Sequence, residues 1–503
     1  MYNYFDQMNL RKTTASGILT IGAARIVQQP ISLVITAILA RLLSPKDFGL
    51  IGIVAIFTSF ISVFAYLGLG SAIIQKKDIK ETQLSTLFWI GLIFGVFSAL
   101  LLVLSSYPIS LFYKEPQLIK LISALSINFC ISPFYQINRK LLEKNLRFRA
   151  IAIREITSSV LSGLVGIAAA FLKFGVWSLV LQSISFNLIS LILFQIVQKW
   201  SPKFVFDFKD CKEMIRFGLH IVGAYFAGYL ERNIDFFFIG KLFGSTTLGF
   251  YSLAYRIMYF PVRQVSNIFL DVLYPTFSKI QDNIKSIQKG YLDSIKYISA
   301  VTFPLMTLVL LVSDKVILLA FGIRWIMTSQ VLKILAPAGA IYSVWQVSWA
   351  VLPAIGKAKL RMKLGFLQSI LLTLGIILGN HWGFSGVIYG ISSSAILIWL
   401  ISQIYLNKLL NLSFISVFLN LRSSLIACIA LAMTKLIMIL IKIPNLGREL
   451  YNFLLEIVVY FIVYSIIMFT LFRKEIKSLL QLYIRKSLSI EYDPGSSFPK
   501  LDK

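Results

Sequence analysis

Apolar runs of roughly 20 residues, separated by short polar stretches, recur along almost the whole of this 503-residue chain, and that length is the helical span of a bilayer. The pattern predicts about 14 membrane-crossing helices. Six lie at approximately residues 18–40, 48–69, 84–107, 118–137, 150–172 and 176–197. Six more follow at 215–239, 248–273, 295–312, 331–352, 360–379 and 384–405, and a final pair at 414–441 and 450–471. The seventh is the least apolar, because it carries His220, Glu231, Arg232 and Asp235.

The pattern repeats. "LARLLSPKDFGLIGIVAIF" from Leu39 and "IGKLFGSTTLGFYSLAYRI" from Ile239 share their punctuation: Arg41 lines up with Lys241, and Phe48-Gly49-Leu50 with Leu248-Gly249-Phe250. A second echo comes in the same order. "RFRAIAIRE" leads to "KFGVWSLV", and "RMKLGFLQ" leads to "WGFSGVIYG". Six spans separate the matched segments, so they run in the same direction, and parallel repeats imply two bundles related by an axis along the membrane normal. The expected fold class is therefore an all-α polytopic membrane protein with two six-helix lobes and two extra C-terminal helices. Residues 1–200 form the first lobe, 201–410 the second, 411–472 the added pair and 473–503 a polar tail. Arg41 and Lys241 are expected to snorkel to headgroups, while Gly49 and Gly249 let helices approach closely.

Composition removes the soluble alternative. Hydrophobic residues make up 57% of the chain and charged residues 14%, with a mean hydropathy of +0.79; a soluble surface needs more charge. The net charge of +27 sits mainly in alternate short loops, with no pattern that reads nucleic acid. That side and the two termini hold roughly 29 Lys and Arg against about nine on the other, which places both termini in the cytoplasm. Cys130, Cys211 and Cys428 are scattered, without disulfide or metal spacing. No cofactor is expected.

The two hairpin stretches "ILARLLSPKDFGLIGIVAIFTSFISVFAYLGLGSAIIQ" and "NIDFFFIGKLFGSTTLGFYSLAYRIMYFPV" resemble bacterial polysaccharide flippases of the multidrug/oligosaccharidyl-lipid/polysaccharide (MOP) superfamily. Within that superfamily they resemble the lipopolysaccharide- and teichuronic-acid-type exporters of the Wzx kind, and the resemblance covers about residues 15–472. It implies a multi-pass protein of the bacterial cytoplasmic (inner) membrane working by alternating access. The implied cargo is an undecaprenyl-pyrophosphate-linked oligosaccharide, with membrane lipids and polysaccharide-assembly proteins as further partners.

Intramembrane charge marks the candidate site. Arg25, Gln29, Ser32 and Thr36 share one face of the first span, with Arg25 near mid-membrane as a permanent cation. It either faces a wet cavity or is bonded within the protein. In the eighth span Ser252, Arg256, Tyr259, Arg263 and Asn267 lie on one face, and Pro261 is expected to kink the helix. Guanidinium groups suit a pyrophosphate drawn into a partly dry cleft. Arg25 and Gln29 from one lobe would meet Arg256, Arg263 and Asn267 from the other. His220, Glu231 and Asp235 could take up H⁺ or Na⁺ for coupling, or serve as ion-pair partners of Arg232, Arg256 and Arg263. Arg154 and Glu155 form a candidate rim pair. Tyr342, Trp345, Gln346 and Trp349 make an aromatic stripe that packs helices, sits in an interfacial belt or contacts sugar.

Two other functions compete. A cation-coupled multidrug exporter of the same superfamily would need carboxylates or apolar aromatic surface in the cleft, whereas the first span has no Asp or Glu between Ala15 and Ala40. A membrane glycosyltransferase or polymerase usually needs acidic residues in a sizeable outer loop, and the outer loops here are short. No nucleotide-binding loop or catalytic constellation is evident. The reading is a transporter, not an enzyme.

Overall fold

The computed structural model describes residues 27–65, 73–74, 76, 78–441, 449–471 and 473. Helices α1 (Val27–Leu42), α2 (Pro45–Ala65), α3 (Glu81–Tyr113), α4 (Gln117–Lys144), α5 (Phe148–Phe171) and α6 (Trp177–Val197) make up the first half. A single 72-residue stretch, Phe208–Lys279, follows; its backbone breaks at Gly244, with φ 80° and ψ 176°. We label its parts α7 (208–243) and α8 (245–279). Then come α9 (Ile284–Val316), α10 (Ile326–Ala354), α11 (Ala358–Gly379), α12 (Gly383–Leu410), α13 (Phe414–Leu440) and α14 (Glu449–Leu471). Ten stretches among the described residues are long and apolar enough to cross a membrane. One of them, Ala358–Leu410, joins α11 and α12; α1 is a shorter apolar helix, and Phe208–Lys279 is not among the ten.

The repeat is written more clearly in the backbone than in the residues. Left-handed φ values recur at Lys114 and Gly322, at Leu146 and Gly356, and at Gly175 and Gly383, spaced 208, 210 and 208 residues apart. Each pair closes the same connection in the two halves: α3 to α4 and α9 to α10, α4 to α5 and α10 to α11, α5 to α6 and α11 to α12. The α1–α2 and α7–α8 turns are solved differently. Ser44 caps α2 through Asp47, whose carboxylate accepts from the Ser44 amide at 2.8 Å and hydroxyl at 2.7 Å. The corresponding turn instead uses Gly244, whose positive φ an L side chain resists.

The lobes meet at this pair of turns. A Cβ on Gly49 would stand 1.6 Å from the carbonyl oxygen of Ser245, and one on Gly249 would stand 1.9 Å from that of Pro45. The contact is reciprocal, as a pseudo-two-fold axis between equivalent hairpins requires. One hydrophobic cluster runs through it, from Leu50 and Ile53 on α2 to Leu248, Tyr251 and Ala254 on α8.

Helices α13 and α14 dock on α9. Ser299 and Ser424 hydroxyls lie 2.8 Å apart, and Glu456 on α14 bridges Lys315 on α9 at 2.8 Å and Lys435 on α13 at 2.6 Å. At the basic end Arg139 pairs with Glu143 at 3.0 Å and with Glu155 at 3.2 Å. The expected rim pair is thus redirected. Arg154 turns inward, only 4% exposed, donates to Ser190 at 3.2 Å and lies 4.1 Å from the Phe194 ring centre, where the ring face favours the cation.

Gly49→Ala and Gly249→Ala should each force the turns apart, since the added carbon meets backbone oxygen rather than a movable side chain. A fall of several degrees in the thermal midpoint of the detergent-purified protein is expected, against little change for Gly365→Ala, whose Cβ meets nothing within 4 Å.

Candidate functional site

The face of α8 is set by its first turn. Gly249 touches the first lobe, and positions three and seven residues on, Ser252 and Arg256, continue that face. Arg256 accordingly reaches α1, where its Nη2 donates to Ser32 Oγ at 2.9 Å. Its side chain otherwise stays exposed, at the boundary between the two lobes. Arg263, two further turns along, is also exposed, and Gln29 on α1 is partly so. Thr36 returns its hydroxyl to the Ser32 carbonyl at 2.7 Å, within α1. Arg25 lies outside the described residues, as do the side chains of Asn267 and His220. The backbone break in Phe208–Lys279 falls at Gly244, and Pro261 lies within α8.

Glu231 and Asp235 lie apart from Arg256. They line a cavity of about 80 Å³ inside the second lobe, with Tyr255 and Tyr259 of α8, Tyr342 of α10 and Gln368 of α11. Asp235 is 5% exposed; it accepts from the Tyr251 hydroxyl and from the Phe236 amide at 2.9 Å. Glu231 has Gln368 as a hydrogen-bond neighbour and feels the charges of Arg232 and Arg361. A chain of rings leads away from this cavity. Tyr255–Tyr259 centroids are 5.4 Å apart, Tyr259–Tyr342 5.8 Å, Tyr342–Trp345 5.6 Å and Trp345–Trp349 5.0 Å. Arg361 closes it, 4.2 Å from the Trp349 ring centre. Trp345 is committed to packing, since it is buried and donates to Ser402 Oγ at 3.0 Å.

Arg41 and Lys241 do not simply reach for headgroups. Arg41 donates across the lobe boundary to the carbonyls of Leu319 and, at 2.9 Å, Ala320, in the π-helical turn that ends α9. Lys241 donates to the Phe112 carbonyl at 2.7 Å, in the last turn of α3. Each cation thus meets the carbonyl-rich end of the equivalent helix in the opposite lobe, where the macrodipole is negative. Three further bonds cross here: Ser245 to Glu115 at 2.6 Å, Trp325 to the Ala40 carbonyl at 2.7 Å and Tyr113 to the Phe237 carbonyl at 3.3 Å. Together they close the lobes at the end opposite the basic loops. Glu115, Tyr113 and Trp325 carry no motif; their only sequence signal is a place beside the repeated hairpins.

These helices define an all-α polytopic membrane protein with a MurJ- and MATE-like fold. The structure superposes on the lipid II flippase MurJ in an inward closed conformation with a TM-score of 0.73, covering 91% of this chain and 100% of that one at 16% identity. An inward-facing multidrug resistance MATE family transporter of the MOP superfamily gives 0.63, covering 78% of this chain and 98% of that one at 15% identity. The chain belongs to the polysaccharide biosynthesis protein family, whose model matches residues 38–330. It is 35% identical to teichuronic acid biosynthesis protein TuaB of Bacillus subtilis (strain 168) over 60% of this chain and 63% of that protein. It is 27% identical to lipopolysaccharide biosynthesis protein WzxC of Escherichia coli (strain K12), over 76% of this chain and 78% of that one.

If the reciprocal cation contacts hold the closed end shut, Arg41→Ala combined with Lys241→Ala should open it. A cysteine at Thr328, which is fully buried beside Trp325, should then react several-fold faster with a membrane-impermeant maleimide in a background lacking the native cysteines.

Proposed function

We propose that this chain is a flippase. It moves undecaprenyl-pyrophosphate-linked oligosaccharide units across the bacterial cytoplasmic membrane for surface polysaccharide assembly. The observation that carries this reading is Arg256, an exposed cation on α8 bonded to Ser32 of α1, so that one phosphate could be held from both lobes. Family membership and the names of TuaB and WzxC support it.

In this reading the pyrophosphate enters from the basic, cytoplasmic side, and both termini lie on that side. It displaces Ser32 from Arg256 and gains Arg263, with Arg25, Gln29 and Asn267 completing the grip. Guanidinium groups offset the cost of dehydrating phosphate because they are weakly hydrated and donate in pairs. The prenyl chain stays in lipid. The two lobes, divided near residue 200, then rock about the Gly49–Gly249 contact; the Arg41 and Lys241 latches part and the head is exposed outside. No bond is made or broken in the cargo.

The Glu231–Asp235 cavity takes a coupling cation, H⁺ or Na⁺. At about 80 Å³ it has room for an ion with a few waters but not for a sugar or a drug-sized cation, which disfavours drug export. Cargo or ion must bind the two states differently for this to drive the cycle.

In a deletion strain, inner-leaflet lipid-linked repeat units should accumulate and the intact gene should clear them. Arg256→Ala should lower export at least ~10-fold, equivalent to about 1.4 kcal/mol, with normal membrane insertion; full polymer production by that variant would remove the site. Asp235→Asn and Glu231→Gln should retain cargo binding yet lose the dependence of transport on an imposed H⁺ or Na⁺ gradient. Unchanged gradient dependence would remove the coupling role alone.

A further inference from the structure

The first lobe carries, apart from its cleft, a groove of about 710 Å³ bounded by α3, α4, α6 and the segment following α6. Phe88, Phe134, Ile192 and Ile196 form apolar walls, and Lys199 and Trp200 stand beyond the last turn of α6. Phe134, Ile192 and Ile196 are 40%, 58% and 64% exposed, so the groove opens to the surroundings, and around an apolar belt the surroundings are lipid.

Residues 199–207, the connection to the second lobe, are pinned along α3. The Lys203 amide donates to Ser85 Oγ at 3.1 Å, Trp89 Nε1 donates to the Lys203 carbonyl at 3.0 Å and the Asp207 amide donates to Thr86 Oγ1 at 2.9 Å. The pinned strap still leaves Phe204 83% exposed. An exposed aromatic ring beside lysines belongs at the headgroup level, where rings and long cations both find their preferred surroundings.

Trp200 has a buried indole N–H with no acceptor among the protein atoms, although a buried indole normally finds one. The nearest polar side chain on α6 is already committed. Gln195 donates to the Trp200 carbonyl and to Ser201 Oγ, both at 3.3 Å, and its Oε1 accepts from Asn138 at 3.0 Å. The indole N–H is thus sealed among protein atoms, and the accessible polar handle of the groove is the exposed Lys199 ammonium, with apolar walls below it.

We propose that this groove seats one anionic glycerophospholipid from the leaflet facing the basic loops. An acyl chain lies along Phe134, Ile192 and Ile196. The Lys199 ammonium pairs with the phosphate, and the Trp200 ring flanks the first acyl carbons. The cargo's prenyl chain is the rival occupant. The groove is built from the first lobe and the strap alone, without α1 or α8, and offers one lysine suited to a single phosphodiester. Its lipid would steady the strap while the lobes move. This assignment rests on membrane residence and not on the identity of the cargo.

The test uses the full-length protein, delipidated in detergent and supplied with phosphatidylglycerol or phosphatidylcholine, with retained lipid counted by native mass spectrometry. Wild type should hold one phosphatidylglycerol in preference to phosphatidylcholine. Lys199→Glu should reduce that preference about 10-fold, and Ile192→Trp with Ile196→Trp should fill the groove and abolish retention. A photoreactive benzoylphenylalanine at exposed position Ile196 gives a second readout in otherwise unaltered protein and should capture glycerophospholipid in cell membranes. Equal retention by wild type and the filled variant, no preference for phosphatidylglycerol, or capture of prenyl lipid alone would each overturn the proposal.

Discussion

Two helical hairpins approach until no side chain fits between them, and the rest of the molecule is arranged around that contact. Gly49 lies against the Ser245 carbonyl and Gly249 against the Pro45 carbonyl. Backbone-to-backbone approach of this kind is how membrane helices gain packing energy where lipid removes the hydrophobic drive to associate. Because the contact is reciprocal, each hairpin holds the other in the same pose. The two cation latches then fall into place as a pair, with Arg41 and Lys241 each meeting helix-end carbonyls of the opposite lobe.

The same contact aims the candidate site. With Gly249 facing the first lobe, helical geometry turns Ser252, Arg256 and Arg263 towards the boundary, and Arg256 meets Ser32. The charges of α7 point elsewhere. Asp235 goes to Tyr251, and with Glu231 it lines a small cavity within the second lobe. A permanent cation at the lobe boundary and carboxylates inside one lobe are two separate electrostatic sites.

Much of this was legible before any coordinates. The apolar runs and the +27 balance in alternate loops identify a membrane protein, and the Gly49 and Gly249 echo locates the hairpins. The rest of the repeat was faint for a physical reason. Lys114 and Leu146 take a positive φ where the second half has Gly322 and Gly356, so equivalent turns are built from different residues. Gly244 carries the break between α7 and α8, inside the gap that the apolar runs at 215–239 and 248–273 leave between them. Arg154 looked like a rim residue from its position and instead turned into an aromatic box, since a helix's rotation about its own axis is invisible to hydropathy.

The sequence by itself determined the solvent this protein lives in, the helical class and the parallel duplication. All of these depend on composition and on spacing along one chain. Only the tertiary structure decided which cations meet helix-end carbonyls of the opposite lobe and which meets Ser32, that Asp235 answers to a tyrosine, and that Glu456 binds two lysines from different helices. Those outcomes depend on the rotation and depth of one helix against another. They are set by backbone contacts between residues some 200 positions apart, such as Gly49 with Ser245.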